Sequence, residues 1–272
     1  MARRLMTWEE AVLWLREQPD KAALVRDCFY DDPLIEAARR YYNSTELQSV
    51  RRFLPNQPGM VLDIGAGRGI TSYAFAKDGW NTVALEPDNS EIVGAGAIRL
   101  LAQESGLNIQ VEENQGEEIP FDDETFDIVH CRQVLHHARN LVKLCSEAAR
   151  VLKKGGIFIA TREHVISRRK DLNKFLASHP LHRLYGREYA YLLREYISAI
   201  KNAGITLEHI LNPFQSDINL FPETVESFKV RLAKKIMFPW PRLIPNLLLT
   251  ILGSVIKTPG RIYTFIGKKY SG

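Results

Sequence analysis

The 272-residue chain has only three cysteines, Cys28, Cys131 and Cys145. Three scattered cysteines are too few for a disulfide framework or a zinc site, so a reducing, cytoplasmic compartment is expected. No apolar run follows the opening residues, and a signal peptide is therefore not expected. The most apolar stretch, residues 247–256, is too short to span a bilayer. Internal repeats and disorder-type composition are also missing.

Charge is unevenly distributed. The chain is 45% hydrophobic and 25% charged, which fits one well-cored domain with additions. From residue 213 to the end there are nine Lys or Arg and three Asp or Glu, so this segment has a net charge of +6. Because the whole chain has a net charge of +4, the residues before 213 have a net charge of −2. Such a basic segment is either a solvated face or a contact for an anionic surface or substrate. A nucleic-acid partner is not expected, because no aromatic-basic recognition motif is present.

Between residues 60 and 161, short apolar runs alternate with amphipathic segments. This alternation predicts parallel strands joined by helices, and right-handed crossovers then give a doubly wound α/β sheet. The predicted strands are 60–64, 82–85, 109–112, 126–131 and 156–161, and the predicted helices are 70–77, 92–103 and 141–152.

Other segments surround or complete this alternating region. Thr7 and Glu10 have the spacing of a capping box, which predicts a helix from Trp8 to Glu17. The chain is predicted to have four parts: a helical extension or lid at 1–55, an α/β core at 56–212, a partly basic helical insertion at 213–260 and a C-terminal segment at 261–272. The core ends with an irregular polar loop at 162–188, a helix at 189–203 and a strand at 205–211. The C-terminal segment contains a last strand at 261–266.

A glycine-rich turn follows the first predicted strand, with the sequence Asp63-Ile64-Gly65-Ala66-Gly67-Arg68-Gly69. Doubly wound sheets bind ligands beyond the carboxyl ends of their strands. Glycine lets the backbone turn tightly and approach a ligand, and the free N–H groups of the following helix face the same place. The turn predicts a ligand site, although dinucleotide enzymes use a similar one.

Two carboxylates next to the turn indicate which class of ligand it binds. Asp63 precedes the first glycine by two residues, where it suits an ammonium group and would repel a pyrophosphate. Glu86 ends the second predicted strand, where a carboxylate can accept both hydroxyls of a ribose. Taken singly, each residue also has a structural interpretation, with Asp63 as a helix cap and Glu86 as a surface turn residue.

With two later segments, these motifs make the chain resemble the class I S-adenosylmethionine-dependent methyltransferases of the type-11 kind. The matching segments are 61–69, 83–88, 118–137 and 148–156, and 265–268 resembles the usual last strand. The resemblance covers residues 56–161. It implies a Rossmann-like sheet of seven mostly parallel strands and S-adenosylmethionine as the cofactor.

The resemblance also implies which residues hold the cofactor. It assigns the methionine part to Asp63, Gly65, Ala66, Gly67 and Gly69, the ribose to Glu86, and the adenine to Pro87, Gln115, Gly116, Glu117 and the carbonyl of Cys131. The family often has Asp where Gln115 stands. The amide carbonyl of Gln can still accept from the adenine amino group.

Methyl transfer from a sulfonium is an in-line displacement, for which a protein mainly supplies position and electrostatic field. A hydroxyl acceptor also needs a general base, and histidine is favoured because its pKa lies near neutrality. His164, just past the fifth predicted strand, is the first choice. His136 and His137 follow the fourth strand, where the family often has a histidine pair as scaffold, and Tyr185 lies in the polar loop. No metal-binding constellation is visible.

The polar loop bears on the acceptor. Together with residues 163–167 it resembles bacterial methyltransferases of surface-glycan assembly, which implies O-methylation of a small-molecule or glycan acceptor, including a lipid-linked one.

The insertion has an amphipathic pattern, in which Val225, Phe228, Leu232 and Ile236 share a helical face beside lysines. A basic amphipathic segment followed by a short apolar one predicts a peripheral contact with an anionic membrane on its inner face. A lid helix packed on the sheet is the alternative.

Two other functions remain open. A nicotinamide-dependent oxidoreductase on a similar sheet predicts dinucleotide binding, although Asp63 beside the glycines argues against it. A non-catalytic module would bind S-adenosylmethionine without turning over any acceptor.

Overall fold

The computed structural model describes residues 5–179, 181–186 and 188–270, so Pro180 and Arg187 of the polar loop lie outside the described residues. The strands are β1 Met60–Ile64, β2 Asn81–Leu85, β3 Ile109–Glu112, β4 Phe126–Arg132, β5 Leu152–Ile166, β6 Tyr191–Leu192, β7 Ile205–Leu211 and β8 Arg261–Lys269. The α-helices are α1 Trp8–Arg16, α2 Ala22–Asp27, α3 Leu34–Tyr42, α4 Thr45–Arg51, α5 Ile70–Lys77, α6 Ala95–Ser105, α7 Leu141–Val151, α8 Leu172–Ser178, α9 His182–Tyr185, α10 Leu193–Asn202, α11 Asp217–Leu220, α12 Val225–Lys235 and α13 Asn246–Val255.

One mixed sheet organises the molecule, with strand order β3-β2-β1-β4-β5-β8-β7 and β6 pairing with β5 off this path. Strands β1 to β5 run parallel, and β8 is antiparallel to both β5 and β7. The predicted doubly wound, seven-stranded sheet is confirmed, with the two-residue β6 as an addition. Helix α7 and helix α10 cover one face over Leu62, Val129 and Phe265, whereas Phe75 and Trp80 pack on the other face.

Strand β5 is much longer than predicted. It runs from Leu152 to Ile166, so Arg162, Glu163 and His164 lie within the strand rather than after it. Beyond Ala160 it keeps pairing with β8, across a register shift at which Arg162 has a left-handed backbone, with φ of +61°. This part of the strand is polar, so it lacks the apolar pattern from which a buried strand is predicted. Its polar side chains are accommodated because they have partners inside the protein.

Helix α6 begins three residues later than predicted. Residues 92–94 form a turn held by the Ser90 hydroxyl, which accepts from the N–H groups of Ile92 and Val93 at 2.9 and 3.1 Å. The helix starts at Ala95, whose N–H donates to the Asp88 carbonyl at 2.6 Å. A side chain at Gly94 would meet that carbonyl oxygen at 2.1 Å, so the close turn requires glycine.

The N-terminal helices are tied to the sheet by buried charges. The capping box of Thr7 and Glu10 at the start of α1 is confirmed. Glu46 of α4 is fully buried and accepts two hydrogen bonds from Arg132 at the end of β4, at 2.7 and 2.9 Å. Arg68 of the glycine turn is also buried and donates to the carbonyls of Phe29 and Asp31, both at 2.9 Å.

The insertion is a small helical unit with its own core. Phe228 and Ala233 of α12 pack with Ile244 and Leu249, the last of which lies in α13. Within the part of the chain that the structure describes, no helix combines the length and apolarity that a membrane span requires.

The buried pair of Glu46 and Arg132 gives a test of how the extension is anchored. Replacing Glu46 with Ala leaves the Arg132 guanidinium buried without its partner, so the free energy of unfolding should fall by about 3–5 kcal/mol in urea denaturation. Glu36→Ala is the matched control, because Glu36 forms an exposed ion pair with Arg39 and exposed pairs contribute little. Equal stability of the two variants would contradict this role for Glu46.

Candidate active site

A cavity of about 880 Å³ opens at the carboxyl ends of β1, β2 and β4. This volume lies within the range of small-molecule and cofactor sites. The glycine turn and the segments that follow β2 and β4 form much of its wall, and Trp8, Leu15 and Phe29 of the N-terminal extension line it as well. Among its described lining residues, none belongs to the insertion at 213–260.

The three glycines of the turn have different functions. All three have positive φ, of +62°, +54° and +78° for Gly65, Gly67 and Gly69. A Cβ at Gly65 would meet Val134 at 2.7 Å, and one at Gly69, the N-cap of α5, would meet Ile98 at 3.1 Å. At Gly67 a Cβ would meet nothing within 4 Å, although the residue lines the cavity. Gly67 therefore presents bare backbone to the cavity, whereas the other two glycines serve packing and the turn.

Asp63 lines the cavity, but its carboxylate is also bound inside the protein. One oxygen accepts from the Ser72 hydroxyl at 2.7 Å, and the other lies 2.9 Å from Nδ1 of His130. The residue is nearly inaccessible to solvent. Asp63 thus places negative charge beneath the glycine turn while it holds the start of α5 against the sheet.

Glu86 is hydrogen-bonded to the glycine turn. Its carboxylate accepts from the N–H of Gly67 at 2.7 Å and from the N–H of Asp88 at 3.0 Å. Burial raises the pKa of Glu86 to about 7, and the two backbone hydrogen bonds oppose that shift. A carboxylate has about four acceptor sites, so two remain for ligand hydroxyls, as the ribose assignment requires.

Most of the predicted adenine residues line the cavity. These are Pro87, Gln115, Gly116 and Glu117, together with Ala66 of the turn. Cys131 lies in the sheet between Ile64 of β1 and Ala160 of β5, and the lining residues that follow it are Gln133 and Val134. The role of the Cys131 carbonyl stays a prediction.

A cluster of imidazoles and one carboxylate lines another part of the same cavity. This histidine cluster consists of His136, His137, His164, His179 and Glu188. The rings of His136 and His137 lie 4.2 Å apart, and those of His136 and His164 lie 4.7 Å apart, centroid to centroid. Glu188 Oε2 lies 3.8 Å from Nε2 of His136 and 3.7 Å from Nε2 of His137.

The cluster is held from below by Glu163, which is completely buried. Its carboxylate accepts from the N–H groups of residues 134, 135 and 136 at 3.0–3.1 Å, and it lies 2.7 Å from Nδ1 of His136. One carboxylate thereby fixes both the backbone of the turn after β4 and the ring of His136.

The four predicted catalytic residues differ in exposure. His137 is the open member of the cluster, with its side chain 35% exposed. His164 lies against His136 and Phe175, and burial lowers its pKa well below the usual value. Tyr185 lines the cavity next to Trp8, with ring centroids 5.2 Å apart. Exposure therefore favours His137 over His164 for direct contact with an acceptor.

Sequence reasoning missed three residues of this site. Glu163 was adjacent to the favoured His164, but its buried hydrogen bonds depend on the long β5. Glu188 stands in an irregular segment about fifty residues after the histidine pair, and no local pattern marks it. Arg68 stands within the glycine turn, where its charge was visible, but its buried contacts with residues 29 and 31 depend on how the extension packs.

Comparison with known proteins identifies the central segment. Residues 62–160 match a family model described as a methyltransferase domain. The chain is 37% identical over 100 residues to the uncharacterized methyltransferase YcgJ of Bacillus subtilis, a match that covers 36% of this chain and 38% of YcgJ. It is 32% identical over 136 residues to a sarcosine/dimethylglycine N-methyltransferase of Aphanothece halophytica, covering 48% of this chain and 46% of that enzyme. The chain thus spans less than half of the length of either relative.

Solved structures show the same fold. The crystal structure of YcgJ superposes with a TM-score of 0.57 at 19% identity, covering 84% of this chain and 99% of YcgJ. A geranyl diphosphate methyltransferase in complex with S-adenosylmethionine superposes with a TM-score of 0.60 at 14% identity, covering 97% and 96% of the two chains. Residues 62–160 thus match a methyltransferase domain, and the chain has the Rossmann-like fold of these proteins. S-adenosylmethionine is the cofactor that this match indicates.

The fit of the cofactor to the glycine turn can be tested at Gly67. Gly67→Ala should weaken S-adenosylmethionine binding about tenfold or more, equivalent to about 1.4 kcal/mol in calorimetry, because its methyl group enters the cavity. Gly106→Ala is the matched control, since Gly106 also has positive φ and open space around its Cα but caps α6 away from the cavity. Both variants should lose a similar stability of about 1–2 kcal/mol from backbone strain.

Two results would contradict this assignment. Normal cofactor affinity in Gly67→Ala would show that the turn does not face the ligand. Binding of a nicotinamide dinucleotide by the wild-type protein, without binding of S-adenosylmethionine, would favour the oxidoreductase alternative.

Proposed function

We propose that the protein transfers a methyl group from S-adenosylmethionine to an oxygen atom of a small-molecule or glycan acceptor, and that the acceptor lies against the histidine cluster. The observation that carries this proposal is the shared cavity, which joins the glycine turn of a methyltransferase domain to an imidazole-rich wall. The glycine turn would hold the methyl donor, and the imidazole-rich wall would hold the acceptor.

In this proposal the protein's own residues orient the two reactants. The glycine turn and Glu86 hold the cofactor, whose sulfonium carries an activated methyl group. An in-line displacement then forms the carbon–oxygen bond of the product and breaks the carbon–sulfur bond, so catalysis depends on positioning. The acceptor hydroxyl loses its proton at the histidine cluster, which accounts for the wall of imidazoles opposite the cofactor turn.

Within the cluster we assign the acceptor contact to His137, because it is the exposed histidine. His136 is bound to Glu163 and serves to position its neighbours. His164, the first choice from the sequence, lies behind His136 and acts as a positioning residue in this proposal. Tyr185 closes the wall toward the N-terminal extension.

The alternatives lack equivalent support. Asp63 lies beside the glycine turn and lines its cavity, where its carboxylate suits an ammonium group and would repel a pyrophosphate. A binding module without catalysis needs no imidazole wall, yet the described cavity has one. The methyltransferase interpretation uses both features.

Methyl transfer can be measured without knowing the acceptor. The protein is incubated with methyl-labelled S-adenosylmethionine and with metabolites and lipids extracted from cells lacking it, and labelled products are separated chromatographically. His137→Ala should lower labelling about 100-fold or more, the range for losing proton-transfer catalysis, with unchanged cofactor affinity. His209→Ala, an exposed histidine on β7, is the control and should label normally. Undiminished labelling by His137→Ala would remove His137 from the site.

The insertion supports a membrane-bound acceptor. Its outer surface consists of apolar side chains that its own core leaves uncovered, namely Ile236, Met237, Trp240, Leu243, Leu247, Leu248, Ile251 and Val255. Met237 is 91% exposed, and Trp240, Leu243 and Leu247 are each more than 60% exposed. Exposed apolar side chains this densely grouped mark an interaction surface.

Charge favours an anionic membrane as the partner of this insertion surface. Lys234 and Lys235 end α12, and Arg242 and Lys257 flank the apolar residues along the chain. Each Lys or Arg near an anionic leaflet contributes about 1 kcal/mol, and apolar side chains can enter the interface without crossing it. We propose a peripheral contact with the inner face of the membrane, which would bring a lipid-linked acceptor to the enzyme.

Flotation with vesicles tests the membrane contact. The protein should float with vesicles of phosphatidylglycerol and phosphatidylcholine at low salt, and flotation should decrease with salt as attraction is screened. Replacing Met237, Trp240 and Leu243 with Ser should abolish it. Val142→Ser is the control, because Val142 on α7 is also 55% exposed but lies outside the insertion. No flotation of the wild type, or equal flotation of the triple variant, would contradict the proposal.

A further inference from the structure

The carboxylate of Glu188 is buried among imidazoles without a hydrogen bond in the described part of the chain. Its side chain is 3% exposed. The nearest ring nitrogens are Nε2 of His136 at 3.8 Å, Nε2 of His137 at 3.7 Å and Nδ1 of His179 at 3.9 Å. These separations exceed hydrogen-bond distances. A buried carboxylate normally has a close partner, so this one lacks an expected component.

The orientation of His136 points to the same place. Glu163 accepts three backbone N–H groups, and Nδ1 of His136 lies 2.7 Å from its carboxylate, which fixes the ring. The other ring nitrogen, Nε2, is thereby directed toward the carboxylate of Glu188, at 3.8 Å. Two groups that commonly bind metal ions therefore face each other across this gap.

The same arrangement is typical of metal-binding histidines. A ligating imidazole almost always donates its other N–H to a carboxylate or carbonyl, as His136 does to Glu163. Ligands about 2.0–2.2 Å from one ion lie roughly 3–4 Å from each other. The ligand atoms of His136, His137 and Glu188 all lie within 4.8 Å of one another. The expectation of no metal constellation overlooked this set, because Glu188 is distant in sequence.

We propose that His136, His137 and Glu188 bind a divalent transition-metal ion of the zinc type. Imidazole nitrogens with one carboxylate suit such ions, whereas Mg²⁺ and Ca²⁺ prefer all-oxygen sites. Resting on the proposed function, the open position of the ion takes the acceptor oxygen. With the ion bound, His137 acts on the acceptor through the metal rather than as the proton acceptor itself. A hydroxyl bound to the ion loses its proton more easily, and the proton leaves to solvent before the oxygen takes the methyl group.

Direct metal binding tests the site in the full-length protein. After chelator treatment and desalting, the protein should bind one equivalent of Zn²⁺ in calorimetry. One equivalent of Co²⁺ should give the visible absorption of a site with nitrogen and oxygen ligands, and Mg²⁺ should not compete. Glu188→Gln and His137→Ala should each lower Zn²⁺ affinity more than tenfold. His209→Ala should bind as the wild type does. Equal Zn²⁺ affinity in the wild type and both site variants, or no binding by the wild type, would overturn the proposal.

Further measurements separate a lost site from a misfolded protein. Glu163→Gln keeps the shape of the side chain beneath His136 and should lower Zn²⁺ affinity about 10–100-fold, the range for residues that orient a ligand. S-adenosylmethionine binding by Glu188→Gln and His137→Ala should stay normal, which shows that the fold is intact. Zn²⁺ binding without methyl transfer would leave the metal site standing and contradict the proposed function. Full methyl transfer by chelated protein that binds no Zn²⁺ would contradict the metal site alone.

Discussion

The buried carboxylate of Glu163 connects the two parts of the cavity. It holds the backbone of the turn after β4 through three N–H groups, and the same turn carries Val134 and the histidine pair. Val134 in turn packs so close to Gly65 that no side chain fits there. A single charge inside the protein therefore sets the position of the glycine turn relative to the imidazole wall, which is the distance that methyl transfer depends on.

Burying that charge is tolerable because its acceptor sites are filled. Ionised groups inside a protein are costly unless hydrogen bonds replace their water. Glu163 and the pair of Glu46 with Arg132 satisfy this condition within the chain. Glu188 does not, and this difference separates a structural carboxylate from one that waits for a ligand.

Local patterns were enough to predict which segments line the glycine-turn side of the cavity. The turn from Asp63 to Gly69 and Glu86 after β2 are each short signals next to a strand end, and the sheet brings them together by topology. The acceptor half depends on contacts between distant segments. Glu188 carries no local signal, and the polar run Arg162 to His164 resembles a loop although β8 makes it a strand. Strand β4 likewise runs one residue further than its apolar pattern predicts, to Arg132, which pairs with Thr161 of β5.

The position of Arg68 couples the cofactor turn to the N-terminal helices. Its guanidinium leaves the turn and binds the carbonyls of Phe29 and Asp31, so the docking of the extension and the order of the turn form one equilibrium. A ligand that binds only the ordered turn then stabilises the docked extension by mass action, by about 2.7 kcal/mol at a hundredfold excess over its Kd. Amide hydrogens of α2 and α3 would exchange more slowly as the cofactor concentration rises. For the same reason, the rate at which the demethylated cofactor dissociates would depend on how often those helices undock.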